Sequence, residues 1–269
     1  GSVEGGSRPE TGYSIVGSFT EWANPQEMEE ERVDVWTCSV TLGENGWEQF
    51  QIWIDGDPRR VLHPGRQGAP RELPVLGPDD AESTGSWLIA GVGAPVQGGG
   101  GAAQLELLAE EGGAVALGRP GDRYRVQLRV AGKWQLVSWE LEAAQTPESP
   151  RPVAPGRYYL VANWNSWDLG EELVPVPGED GVFRAEVKLP AGAETRRFQI
   201  VRNRDWNQAF HPPASSADGS GTSRVLGPSV FDYGLEWLLS AREGETIAIE
   251  FRRQVGDEDA RWISWRRVP

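Results

Sequence analysis

The chain writes one line twice. Residues 50–64 read FQIWIDGDPRRVLHP and residues 198–212 read FQIVRNRDWNQAFHP. Both open Phe-Gln-Ile, carry Asp in the eighth place and close on His-Pro, with no gap between. The repetition continues on either side. YSIVGSFTEW (13–22) lines up with YYLVANWNSW (158–167), VWTCSVTL (35–42) with VFRAEVKL (182–189), and VLGPDDAESTGSWLI (75–89) with VLGPSVFDYGLEWLL (225–239). GDRYRVQLRVAGKWQLVSW (121–139) matches GETIAIEFRRQVGDEDARWISW (244–265), with a longer turn in the second copy. A repeat of this length reads as two copies of one module.

The boundaries follow from composition. Residues 1–11 are a Gly/Ser-rich tail, and module one spans 12–143. Residues 144–156 are Pro-rich, cannot continue a ladder and read as a semi-rigid linker. Module two spans 157–269. Residues 91–119 have no counterpart in module two. They hold a four-glycine run and AAQLELLAEE, and read as a mobile loop or a partner-binding insertion.

The repeated segments are short, rich in Val, Ile, Tyr, Phe and Trp, and bounded by Gly, Pro, Asp and Asn, which predicts strands. In residues 182–189 Phe183, Ala185, Val187 and Leu189 alternate with Arg184, Glu186 and Lys188; in residues 123–130 the inward set is Tyr124, Val126, Leu128 and Val130. No amphipathic helix of any length interrupts the pattern. The expected fold is all-β: two tandem antiparallel β-sandwiches of immunoglobulin-like shape.

A net charge of −14 argues against a nucleic-acid partner. No apolar run approaches the length of a membrane span, which predicts a soluble chain. Cys38 is the single cysteine, so neither an internal disulfide nor a cysteine metal cluster is expected; no cofactor and no metal site is predicted. Acidic runs such as EMEEE (27–31) read as solvated loops. Gly1-Ser2 looks like a cloning scar, and the compartment is left open. With both modules small, no catalytic domain remains, and the expectation is a protein that is not an enzyme.

Of the 13 tryptophans, Trp87/Trp237, Trp134/Trp262 and Trp139/Trp265 pair across the copies in or beside the last strands and read as core. Trp36 matches Phe183, and Trp164 matches Phe19, again as core. Trp22 and Trp167 pair at the end of the first strand, while Trp47, Trp53 and Trp206 occur in one copy only. His63 and His211 share one place and read as structural.

Residues 158–212, with ANWNSW, LPAG and FQIVRNRDW, resemble the glycogen-binding module of the AMP-activated protein kinase β subunit and the related starch-binding domains of amylolytic enzymes. GSFTEW and FQIWIDGD of module one match the same pattern. The resemblance implies a sandwich in which the first tryptophan and a late-loop tryptophan stack on glucose rings, with a lysine between them in sequence giving hydrogen bonds. These fall on Trp167, Trp206 and Gln199, the last a departure that keeps hydrogen bonding without charge; in module one, Trp22 and Gln51 take the equivalent places. A pyranose has an apolar face and a hydroxyl rim, so an indole flanked by Asn, Gln and Arg suits it. Asn165 and Asn207 join the candidate site on that ground. Trp206 either stacks on sugar or packs on a neighbouring loop. Trp53 shares a strand face with Gln51 and is either a replacement platform or, the favoured reading, buried between the modules. The expected function is non-catalytic binding of an α-glucan oligo- or polysaccharide, mainly on module two. The alternative is a scaffold in which degenerate sugar modules hold a protein partner.

Overall fold

In the computed structural model the described residues are 9–81, 84–89, 118–146, 151–191, 195–214, 223–230, 234–256 and 259–269. The chain divides into two compact units, Gly1–Ala154 and Pro155–Pro269. The insertion expected at 91–119 lies outside the described residues except for its last two.

The first unit contains β1 (Tyr13–Gly17), β2 (Gln26–Glu27), β3 (Glu29–Arg32), β4 (Val35–Thr41), β5 (Glu48–Ile54), β6 (Val61–His63), β7 (Leu76–Asp79), β8 (Trp87–Ile89), β9 (Arg123–Ala131) and β10 (Trp134–Ala143). One sheet runs β2-β1-β5-β6-β7 with β8 beside β5; the other runs β10-β9-β4-β3. All these ladders are antiparallel. Strand alternation turns Tyr124, Val126 and Leu128 of one sheet and Ile15, Phe50 and Ile52 of the other into a single core, closed by Trp87 and Trp139.

The acidic run 27–31 is not a loop. It forms β2 and β3, on the edges of the two sheets, with Met28 between them buried in the core. Met28 N donates to the Tyr13 carbonyl at 2.8 Å. The exposed glutamates are charges on an edge, the placement that discourages another strand from adding there.

The second unit contains β11 (Tyr158–Ala162), β12 (Glu171–Pro175), β13 (Val182–Lys188), β14 (Arg196–Arg202), β15 (Ala209–His211), β16 (Ser223–Arg224), β17 (Leu226–Ser229), β18 (Trp237–Leu239), β19 (Thr246–Val255) and β20 (Asp259–Val268). Here one continuous antiparallel sheet runs β16-β20-β19-β13-β12-β11-β14-β15-β17, with β18 beside β14. Strand β12 makes the join: Glu171, Glu172 and Leu173 pair with β11, then Val174 and Pro175 pair with β13. In the first unit the corresponding stretch breaks at Met28 into β2 and β3, which leaves two sheets.

The phenylalanine that opens the repeated line is the centre of each core. Phe50 meets Trp87 at 5.5 Å and Trp139 edge-on at 5.6 Å; Phe198 meets Trp237 at 5.5 Å and Trp265 edge-on at 5.4 Å. Such pairs contribute roughly 0.5–1.5 kcal/mol beyond the area they bury. Gly77 and Gly227 sit at φ +102° and +108°, each before a cis proline, and a Cβ on either would fall 2.2 or 2.3 Å from the Val61 or Ala209 carbonyl oxygen. Only glycine allows β7 and β17 to come that close.

The segment expected to be a linker is fastened near its start. Gln145 and Arg151 exchange side chain-to-backbone hydrogen bonds, and the Arg151 guanidinium caps the carbonyls of Ala143 and Ala144.

Candidate functional site

The candidate residues cluster on the outer face of the β1–β5–β6 sheet and its counterpart β11–β14–β15. In register Val16 stands opposite Gln51, and Val161 opposite Gln199. In the second unit Val161, Val201 and Ala209 form a small outer-face cluster, covered by half-buried Trp167 and Leu169. In the first unit Val16, Trp53 and Val61 form the matching cluster, covered by Trp22 and Ala81. Trp22 and Trp167 thus do the same packing job. Each follows a residue at positive φ, has positive φ itself, and donates its backbone N–H to the carbonyl of Gly17 or Ala162, at 3.0 and 2.8 Å.

Several expected sugar contacts are occupied by the fold. Gln199 is fully buried, and its Nε2 donates to the Leu235 carbonyl at 2.8 Å. Gln51 is buried too, with Nε2 donating to the Gly85 carbonyl and to Thr84 Oγ1. These two glutamines tie a crossing loop onto the outer face and do not face solvent. Asn165 caps its own turn: Oδ1 accepts from Ala162 N at 2.9 Å, and Nδ2 donates to the Leu160 carbonyl at 3.0 Å. Thr20 Oγ1 does the same for Gly17 N at 3.0 Å in the first unit. Trp53 is buried among residues of its own unit, and its indole N–H donates to Gln51 Oε1 at 3.2 Å. It is not an exposed platform, and a second module is not needed to account for its packing.

The hairpin after Val201 carries the exposed part of the candidate site. Asp205 Oδ1 accepts from Asn207 N at 2.9 Å, as Asp57 Oδ1 accepts from Arg59 N at 2.9 Å, so the aspartate in the eighth place shapes the turn in both copies. Asn207 also spends its Nδ2 on Asp205, and buried Arg202 and Gln208 bond to one another beneath the turn. Trp206 is 36% exposed. It lies in the loop joining Val201 to Ala209, the two residues that Trp167 covers. Two residues before Trp206 in the same loop, Arg204 places its guanidinium 4.8 Å from the Tyr159 ring centroid. Arg204 belongs to the Arg-bearing surroundings expected of Trp206, whereas Tyr159 is not among the residues expected from the sequence. Period two puts Tyr159 on the same face as Val161, which is the signal that points to it.

The histidines are structural in matched ways. The His63 ring meets Asp79 Oδ2 and the His211 ring meets Ser229 Oγ, both at 3.0 Å, and Asp79 and Ser229 hold one place in the repeat. Asp55 and Asn203 likewise both anchor the chain entering the first strand: Asp55 accepts from Thr11 N and Gly12 N, Asn203 from Arg157 N. Burial pushes the Asp55 carboxyl up, but these donors, with the Thr11 hydroxyl and Arg60, outweigh it and hold the group at about 2.

Two tryptophans expected in the core are outside it. Trp134 is 83% exposed and Trp262 38%. They are also not partners. Trp262 stands opposite Arg252, whereas Arg129, the match of Arg252, stands opposite Leu136. The turn between the last two strands differs in length, and that difference hides the register.

No family model matches the chain, and no curated protein matches it. Among solved structures, SusF from Bacteroides thetaiotaomicron aligns with 95% of this chain and 49% of its own at 16% identity and a TM-score of 0.31. The chain spans about half the length of that protein. A superposition this loose carries no weight for fold or function.

Proposed function

We propose that the chain is a non-catalytic glycan-binding protein that takes α-glucan chains on its second unit, with Trp206 and Trp167 as stacking surfaces. The observation behind this reading is the exposed Trp206 in the hairpin whose two legs carry Trp167. Arg204 and Asn207 flank it in sequence, and groups of these types suit the hydroxyl rim of a pyranose. Gln199 is left out, because its amide is committed beneath the surface. In the first unit the place of Trp206 is Pro58 and Trp53 is buried, so glucan binding on this face belongs to the second unit. Two stacked rings and a few hydrogen bonds at about 1 kcal/mol each, less the cost of association, give an affinity of roughly tens of micromolar to millimolar.

One observation favours a protein-binding scaffold instead: the place of the family's lysine is sealed in both units. Titration of the full chain with maltoheptaose separates the two, read at the individual indole N–H resonances. Glucan binding shifts Trp206 and Trp167, and Trp206→Ala abolishes the shift at Trp167 while the fold is retained. Resonances unmoved at about 10 mM sugar, well above a millimolar dissociation constant, leave the scaffold.

A further inference from the structure

The most exposed tryptophan of the described residues belongs to neither candidate platform. Trp134 opens β10, and period two puts Trp134, Leu136, Ser138 and Glu140 on the outer face of the β10-β9-β4-β3 sheet, while Val137 and Trp139 turn to the core. Leu136 stands opposite Arg129, Ser138 opposite Gln127 and Glu140 opposite Arg125. The free edge of β10 is walled by residues 71–74: Arg71 donates to the Trp139 carbonyl at 3.0 Å, Glu72 N to the Val137 carbonyl at 3.0 Å, and Pro74 bridges to Leu136. Between wall and sheet runs an open groove of about 210 Å³, lined by Arg71, Gln127, Arg129, Ser138 and Glu140 among others.

We infer that this face of the first unit is a separate glycan-binding surface, taking a neutral linear oligosaccharide along β10 with one ring stacked on Trp134. The ligand class rests on the glycan-binding function proposed for the second unit, but none of the residues is shared with that site. The lining decides the occupant. Its side chains are planar or hydroxyl-bearing hydrogen-bonding groups of both signs, which match hydroxyls that donate and accept. Arg71, Arg125 and Arg129 share the groove with Glu72 and Glu140, and Arg125 is also paired with Glu31 at 2.8 Å, so the charges offset one another and suit a neutral ligand better than a polyanion. The groove is polar and does not suit an apolar helix. It is smaller than the ~300–1,000 Å³ of pockets that engulf a small molecule, which fits a part of a longer chain lying across an open surface. An indole left in water at the end of such a strip supplies the apolar half of sugar recognition.

The test uses the full chain labelled at its tryptophan indoles and glutamine amides, titrated separately with maltoheptaose, cellohexaose and xylohexaose to about 10 mM, above weak millimolar affinities. At least one sugar is expected to shift the Trp134 indole and the Gln127 amide together. Trp134→Ala, read at Gln127, and Arg129→Ala, read at Trp134, should each weaken that binding tenfold or more, while Trp206→Ala leaves it unchanged. Trp134 unmoved by all three sugars overturns the inference, as does an affinity unaltered by both substitutions. Concentration-dependent broadening of Trp134 without sugar also overturns it, making the face a contact between copies of the chain. A moving Trp134 with a still Trp206 sinks only the second-unit reading, and the converse sinks only this one.

Discussion

Nε2 of Gln51 donates to the Gly85 carbonyl at 3.0 Å, and Nε2 of Gln199 donates to the Leu235 carbonyl at 2.8 Å. Gly85 and Leu235 hold the same place in the repeat, so one latch is built twice. Removing it strands a buried carbonyl, which costs about 1–3 kcal/mol. Gln199→Leu should therefore lower the stability of the second unit by that amount and leave the first unit unchanged. Gln199→Lys, which places there the residue type of the family that the sequence resembles, should cost more, because the ammonium is forced into a fully buried place. The readout is urea unfolding followed unit by unit through assigned amide signals. Equal stability of wild type and Gln199→Lys would mean that the loop opens readily and the glutamine holds nothing.

Trp87 and Trp237 are fully buried against Phe50 and Phe198, whereas Trp134 stands in solvent. Trp87→Ala and Trp237→Ala should each cost roughly 3–5 kcal/mol, each in its own unit. Trp134→Ala should change stability by no more than about 0.5 kcal/mol. Thermal unfolding of the three variants checks this, and a large loss in Trp134→Ala would show that the side chain packs in solution.

Much of this architecture is legible in the chain. The alternation of Phe183, Ala185 and Val187 with charged residues appears directly as β13, with the apolar set buried. The duplicated line points to duplicated structure, because its phenylalanine, aspartate and histidine each perform a matched packing or bonding task. The glutamine of that line misleads, because a buried amide and a sugar-facing amide look alike in sequence; only the loop that crosses it decides, and that loop is more than thirty residues away. Trp134 misleads for a different reason. Which face a strand residue occupies depends on register, and a turn of unequal length aligns two tryptophans that the ladders do not pair. The glutamates of β3 resemble a loop because an exposed edge strand has no inward alternation to announce it.

Two carboxylates give opposite pH signatures. Burial raises Glu171, partly offset by the hydrogen bond from Asn165. A raised acid keeps its proton longer in the native state than in the unfolded chain, so its contribution is most favourable below about 4.3 and is lost as pH rises through the folded value. Glu171→Gln does not titrate and still accepts from Asn165. It should match wild type at about pH 3 and exceed it at about pH 7. Asp55, held at about 2, contributes stability above about 3.9 that disappears as pH falls through about 2. Asp55→Ala should therefore lose stability at neutral pH, with the gap to wild type closing in acid. Thermal unfolding across pH separates the two, and parallel profiles for all three proteins would contradict both assignments.

Pro58 occupies the place of Trp206, and its surroundings make the exchange a direct test of the platform. Its carbonyl accepts from Ala81 N at 2.8 Å, a bond that needs only the backbone. Its ring is exposed, so an indole there meets no core. Trp22 already covers Val16, Trp53 and Val61 as Trp167 covers Val161, Val201 and Ala209. Pro58→Trp should cost about 0.4–1 kcal/mol through the freer unfolded chain and should supply the missing second surface beside Trp22. Made in a Trp134→Ala background, so that any binding at the β9–β10 face is weakened tenfold or more, it should raise maltoheptaose stoichiometry from one site per chain to two in calorimetry. The new site should fall in the same weak range, roughly tens of micromolar to millimolar, and should vanish again with Trp22→Ala. An unchanged stoichiometry with the fold intact would mean that the hairpin tryptophan is not the platform, and would count against glucan binding at Trp206 in the second unit as well.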